Sequence, residues 1–166
     1  MPDTEGVDAI DRQILGILAR DGRTPIVQVA EQVGLSRPAV SDRIEKLERS
    51  GVIRGSSVVV DPAALGMGVT AFISARQSAP FPPKAEKAFR ALLDRDEVVE
   101  IHTVAGEDCY LVKVRTSSIA ALNLLVNELS APPLELSTRT TIVMETHVEK
   151  VGGVLLTGGT SEPETS

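Results

Sequence analysis

Cysteine is nearly absent from this chain. The one thiol, Cys109, rules out an internal disulfide framework. Histidine is almost as scarce, with only His102 and His147. No metal site is therefore expected, and a small half-buried strand residue is favoured for Cys109 over a redox sensor or metal ligand. No apolar run approaches the ~20 residues that a membrane helix needs. No secretory leader pattern opens the chain, so a soluble cytoplasmic protein without a membrane partner is expected. Thr157-Gly158-Gly159-Thr160 is not followed by Gly-Lys-Ser/Thr and so is no phosphate loop. A basic excess is missing too. The 166 residues carry a formal net charge of −6, which at first argues against a nucleic-acid partner.

The position of the charge weakens that objection. Residues 1–60 hold 8 Lys+Arg against 9 Asp+Glu, whereas residues 61–166 hold 9 against 14, so the acidity sits in the C-terminal part. Within residues 36–50 the basic Arg37, Arg43, Lys46 and Arg49 outnumber the acidic Asp42, Glu45 and Glu48. So mild an excess predicts weak binding by one copy and useful affinity only from several acting together.

That stretch reads as a helix built to lie on DNA. Val40, Ile44 and Leu47 fall at i, i+4 and i+7, one apolar stripe, and Pro38, Asp42, Glu45 and Arg49 point away from it. Ser36 is a suitable N-cap, Pro38 lies in the first turn where no N–H partner is needed, and Gly51 supplies the left-handed stop. Upstream, Ile26, Val29, Ala30 and Val33 repeat at helical spacing over 25–33, and Gly34 permits a tight turn between the two helices. An earlier helix holds Ile10, Ile14, Ile17 and Leu18, with Asp8 as its N-cap and Gly22 beyond its end. The second and third helices form a helix-turn-helix whose later helix enters the major groove by its N-terminal half. The DNA-facing set is Ser36, Arg37, Pro38, Ala39, Ser41, Asp42, Arg43 and Lys46, the basic and hydroxyl members reaching phosphates or base edges. A three-helix bundle without a DNA partner would share the stripe but would not need this polar first turn.

Pro and Gly break the periodicity near Asp61-Pro62 and Gly66-Met67-Gly68. Residues 57–61 read as a short β-branched strand leaving the helical domain. Beyond the hinge, strands are predicted over 69–77, 98–105, 109–115 and 137–148. Helices are predicted after Pro82-Pro83 (Ala85, Ala88, Phe89, Leu92) and over 117–129 (Leu122, Leu125, Val126, Leu129). Gly106-Glu107-Asp108 turns the middle two strands into a hairpin. The order βαββαβ is that of a ferredoxin-like α+β sandwich with one sheet face bare. Val, Ile, Phe and Leu on that face would form an exposed apolar patch, so packing on another copy is expected. The expected division is 1–54, a helix-turn-helix (winged) domain; 55–68, strand and hinge; 69–150, the ferredoxin-like domain; and 151–166, a flexible tail.

The chain resembles the Lrp/AsnC (leucine-responsive, feast/famine) transcriptional regulators. The resemblance is carried by Asp8-Ala9-Ile10-Asp11-Arg12-Gln13-Ile14-Leu15, Gly34-Leu35-Ser36 and Arg43-Ile44-Glu45-Lys46-Leu47-Glu48-Arg49-Ser50-Gly51-Val52-Ile53. Asp61-Pro62-Ala63-Ala64-Leu65-Gly66, Val104-Ala105-Gly106 and Thr138-Arg139-Thr140 add to it, and it covers roughly residues 7–148. It implies a sequence-specific regulator that binds double-stranded operator DNA, dimerises through its sheets, assembles further into octamers, and is modulated by an amino acid held between effector domains. No cofactor is implied. Val104, Ala105, Gly106, Glu107, Asp108 and Cys109 on the hairpin turn, with the hydroxyls of Thr138 and Thr140, are the implied effector contacts. Glu107 and Asp108 either anchor the ligand ammonium or stay solvated. Where many members read Gly-x-x-Asp-Tyr, this chain reads Gly106-Glu107-Asp108-Cys109-Tyr110. Strand side chains alternate, so Asp108 does not simply replace the missing Asp. The loss of a polar contact tilts the expected ligand toward an apolar or aromatic amino acid.

Two other functions compete. Sirohaem decarboxylases resemble this family in both domains, and His102 or His147 would serve such an enzyme, but the polar third helix favours DNA and a non-enzyme. A stand-alone amino-acid sensor acting through a protein partner would bind ligand without binding DNA.

Overall fold

The computed structural model describes residues 6–149, and the tail expected over 151–166 lies outside them. Contacts divide the chain between Val59 and Val60 into a helical unit and an α+β unit.

The helical unit contains α1 (Ala9–Arg20), α2 (Ile26–Val33) and α3 (Arg37–Arg49). Asp8 caps α1 in a reciprocal capping box: its Oδ1 accepts from the Asp11 backbone N–H at 2.8 Å, and Asp11 Oδ2 accepts from the Asp8 N–H at 3.1 Å. Gly34 ends α2 at φ +69°, and Gly51 follows α3 at φ +75°. Ser36 Oγ accepts from the Ala39 N–H at 3.4 Å, with Pro38 in the first turn. Ile14, Val29, Ala30 and Val40 are buried together, flanked by Ile10, Ile17, Leu18, Val33, Leu35 and Ile44. The 3.6-residue spacing of the apolar positions has set this core.

The α+β unit opens with a 3₁₀ turn at Ala63–Leu65. It continues through β1 (Val69–Arg76), α4 (Pro83–Leu93), β2 (Val98–Thr103), β3 (Tyr110–Thr116), α5 (Ile119–Ser130) and β4 (Ser137–Ile142). The sheet order is β2-β3-β1-β4, every pair antiparallel, which is the ferredoxin-like topology. Both helices pack on one face, over Ala71, Ile73, Ala75, Val112 and Val114, together with Leu92, Leu122, Leu125 and Leu129. Each buried Val, Leu or Ile side chain among them contributes about 1.5–3 kcal/mol by leaving water.

Three expectations are corrected. Residues 57–61 form no strand: Val58, Val59 and Val60 are 67%, 72% and 50% exposed, and no strand among the described residues pairs with them. β-Branched composition favours extended backbone, but a strand also needs a partner for its ladder. The last strand stops at Ile142 rather than Val148: its ladder with β1 ends where Ala71 faces Ile142, and one further bond runs from the Val143 N–H to the Thr70 carbonyl at 2.9 Å. β1 itself begins at Val69, too short to pair a strand reaching Val148. The open sheet face is not an apolar patch. Alternation turns Val and Ile of β1 and β3 toward the helices, leaving Phe72 and Leu111 among Glu100, His102, Lys113, Arg115 and Arg139.

Candidate nucleic-acid interface and effector turn

The first turn of α3 stands clear of its core. Ser36, Arg37, Pro38, Asp42 and Lys46 are exposed, and Ala39 and Ser41 half-buried. Ser36 accepts through its oxygen in the cap, which leaves its O–H free to donate to a phosphate. Arg37, in the first turn, and Lys46, in the last, lie on the exposed part of the surface and suit phosphate contact.

Arg43, a member of the expected DNA-facing set, is half-buried and engaged within the helical unit. Its Nη1 donates to Asp8 Oδ2 at 2.6 Å and to Asp11 Oδ1 at 2.7 Å, so the charge is spent inside the helical unit. Spacing explains this: Arg43 lies three residues after Val40 and four before Leu47, on the flank of the apolar stripe. The backbone N–H of Asp11, and then the Arg43 guanidinium, hold the Asp8 carboxyl below its usual range, and the two carboxylates raise Arg43. Asp8 is thus both cap and ion-pair partner. The paired spacing Asp8-x-x-Asp11 was the available signal in the sequence.

In the α+β unit, the β2–β3 turn and β4 come together at one end of the sheet. The Cys109 N–H donates to the Ala75 carbonyl at 3.0 Å, and its own carbonyl accepts from the Val104 N–H at 2.9 Å. Thr138 and Thr140 stand opposite Ala75 and Ile73 in the register. Both are half-buried, and Thr138 Oγ1 lies 3.2 Å from Ser130 Oγ. Asp108 accepts from Arg139 Nη2 at 2.9 Å, so its carboxylate is not idle, whereas Glu107 is exposed. Val104, Ala105 and Gly106 form the exposed rim, with Gly106 at φ +146°, a conformation that favours glycine. Cys109 is half-buried, its Sγ 3.9 Å from the Gln77 carbonyl, and Tyr110 donates to Gln77 Oε1 at 3.1 Å. Gln77 and Arg139 were not among the expected site residues, since pairings across more than thirty positions leave no local pattern.

A void within the helix-side core, lined by Ala75, Leu92, Val112 and Leu125, is about 10 Å³, room for a water at most. The turn over residues 104–109 lies at the surface, its residues exposed or half-buried. Among the described residues no cluster of His, Cys, Asp or Glu is arranged to hold a metal, and no helix is long and apolar enough to cross a membrane.

A capped, polar helix after a tight turn, joined in one chain to a ferredoxin-like unit, defines a winged helix-turn-helix regulator with an effector domain. Residues 7–54 match the family model for winged helix-turn-helix DNA-binding, and residues 70–152 match the Lrp/AsnC ligand binding domain. The chain belongs to the Lrp/AsnC family of transcriptional regulators. It is 34% identical over 143 residues to the HTH-type transcriptional regulator FL11 of Pyrococcus abyssi, covering 86% of this chain and 93% of that one. It is 35% identical over 142 residues to LrpA of Mycobacterium tuberculosis, with the same coverage of each. Among solved structures it is similar to a feast or famine regulatory protein from M. tuberculosis complexed with L-methionine. That match has a TM-score of 0.76 and 33% identity, covering 87% of this chain and 97% of the other.

Proposed function

We propose that this protein is a sequence-specific transcriptional regulator, not an enzyme, that reads operator DNA with the N-terminal half of α3 and is modulated by an amino acid. The observation that carries the reading is the first turn of α3: capped by Ser36, set by the Gly34 turn, and exposing Arg37 and Pro38 with Asp42 and Lys46 further along. Ala39 and Ser41 complete the contact set, and Arg43 leaves it. The working division stays at 1–54 for DNA and 69–150 for effector and assembly, in the cytoplasm, with no cofactor.

The effector reading rests on the turn formed by Val104, Ala105, Gly106, Glu107, Asp108 and Cys109 beside Thr138 and Thr140. Exposed N–H groups suit a carboxylate, and Glu107 suits an ammonium. Cys109 removes a polar group from the site, and a similar protein was solved with L-methionine, so the ligand is an amino acid with an apolar side chain. An amino acid bound at this surface turn needs a second wall, which a second copy supplies. Leu111 on the open sheet and the exposed Val58, Val59 and Val60 are apolar side chains suited to a homodimer and larger assemblies.

The test is fluorescence anisotropy of labelled duplex from upstream of the protein's own gene, with and without a pool of the twenty amino acids. The reading expects salt-sensitive binding that shifts with the pool. Absence of binding at every salt concentration sinks the DNA reading; binding indifferent to the pool sinks the effector reading alone.

A further inference from the structure

We propose that Arg43 is a positioning residue of the DNA-reading helix: it fastens α3 to the N-terminus of α1 through Asp8 and Asp11 and touches no phosphate. The inference rests on the DNA reading above and adds how the helix is held in place for it.

The four carboxylate oxygens at the start of α1 are fully divided between two tasks. Asp8 Oδ1 and Asp11 Oδ2 accept from backbone N–H groups in the capping box. Asp8 Oδ2 and Asp11 Oδ1 are left over, and both accept from the single Nη1 of Arg43, at 2.6 and 2.7 Å. A box that ordinarily does nothing but start a helix here also presents two anionic oxygens to one guanidinium. The Asp11 side chain is only 4% exposed and the Arg43 side chain 30%. Pulling Arg43 outward to a phosphate would strand a buried carboxylate without its counter-charge, which is strongly unfavourable. A phosphate in water-rich surroundings does not compensate that loss.

Two consequences concern DNA. The clamp sits seven residues from Ser36 in the same helix, so it sets the orientation with which the first turn is presented. It also removes one positive charge from the contact surface. What remains on 36–50 is Arg37, Lys46 and Arg49 against Asp42, Glu45 and Glu48, a balance of three and three. One copy of α3 brings no net positive charge to DNA, so binding depends on orientation and on several copies.

The test uses the full-length protein and a fluorescein-labelled duplex selected by the wild type from a random-sequence library. Anisotropy is read across a salt series for wild type, Arg43→Gln, Asp11→Asn and the double variant, and for Asp8→Asn. Asp8→Asn keeps a good N-cap and so remains folded if the others do not. Thermal melts fix a working temperature at which each variant is folded, so that a change in affinity is not a change in folded fraction.

The proposal expects Arg43→Gln and Asp11→Asn each to weaken binding roughly tenfold, with the double variant no weaker than either, as for residues acting as one unit. Asp8→Asn weakens binding less. The slope of log K against log salt is unchanged, and preference for the selected duplex over a scrambled one falls. A merely structural role would leave that preference intact in the folded protein. The proposal is overturned if Arg43→Gln lowers the slope by about 0.9 for each copy bound while Asp11→Asn tightens binding, the signature of a phosphate contact released from competition. It is equally overturned if Arg43→Gln binds as the wild type does. If the wild type selects no duplex, the DNA reading falls and takes this one with it; the other failures leave the DNA reading standing.

Discussion

Glu149, seven residues past the end of β4, reaches back over the open face of the sheet and accepts from Arg115 Nη2 at 2.6 Å. Lys113, on the same face of β3, donates to the other oxygen of that carboxylate. The segment between runs over Thr70 and Phe72, leaving a groove of about 320 Å³ beneath Glu145, His147 and Val148. Residues expected to extend the last strand thus form a strap held by charge.

That strap should respond to acid. The hydrogen bond from Lys113, and then Arg115, hold the Glu149 carboxyl below its usual range, and Glu149 raises Lys113. A carboxyl lowered by folding contributes stability above its unfolded value of about 4.3, lost as the pH falls through the lower folded value. The ¹³C carboxyl titration of Glu149 should show a midpoint below that of an ordinary glutamate, and Lys113→Ala should move it back upward. An ordinary midpoint in the wild type means the strap is not held by these ion pairs.

Gly34→Ala should weaken both fold and DNA binding. At φ +69° an L side chain costs about 1–2 kcal/mol, and the added Cβ meets nothing within 4 Å, so the cost is all backbone. Urea denaturation should report that loss, and weaker binding of the folded variant to its duplex would report a changed turn between α2 and α3. An unshifted urea midpoint would mean the turn relaxes to negative φ.

Arg37→Ala should behave in the opposite way to the Arg43 variants. Arg37 is exposed in the first turn of α3, so its loss should lower the salt slope by about 0.9 per copy bound and leave the melting temperature unchanged. A slope equal to the wild type's would remove Arg37 from the phosphate contacts.

Ile14→Ala should cost about 2–5 kcal/mol, since Ile14 is fully buried among Val29, Ala30 and Val40. The α+β unit has its own core around Ile73, Val114 and Leu125. Amide exchange should therefore speed up in α1 to α3 and stay slow in β1 and β3. Loss of protection in the strands as well would show that the two cores unfold together.

Periodicity made most of the elements legible. The i, i+4, i+7 stripe of Val40, Ile44 and Leu47 and the alternation along β1 and β3 are local patterns, and they fall where expected to within one or two residues. The family was legible too, because capping residues, turn glycines and core positions recur together in sequence order. The site was read less fully. Arg43 has the composition of a DNA contact, and only its angular place on the helix, beside the Asp8 and Asp11 carboxylates thirty-odd positions earlier, shows its engagement inside the helical unit.

By itself the sequence determined the two units, their helices and strands, and the exposed first turn of α3, because each follows from side-chain spacing along a few turns of backbone. Tertiary structure decided what spacing does not encode. It decided that Arg43 pairs with Asp8 and Asp11, that Val58 to Val60 find no strand partner among the described residues, that the open sheet is charged, and that Glu149 closes upon it. Each of these depends on which distant group arrives within about 3 Å, and an ion pair or a strand ladder exists only once both halves are in place.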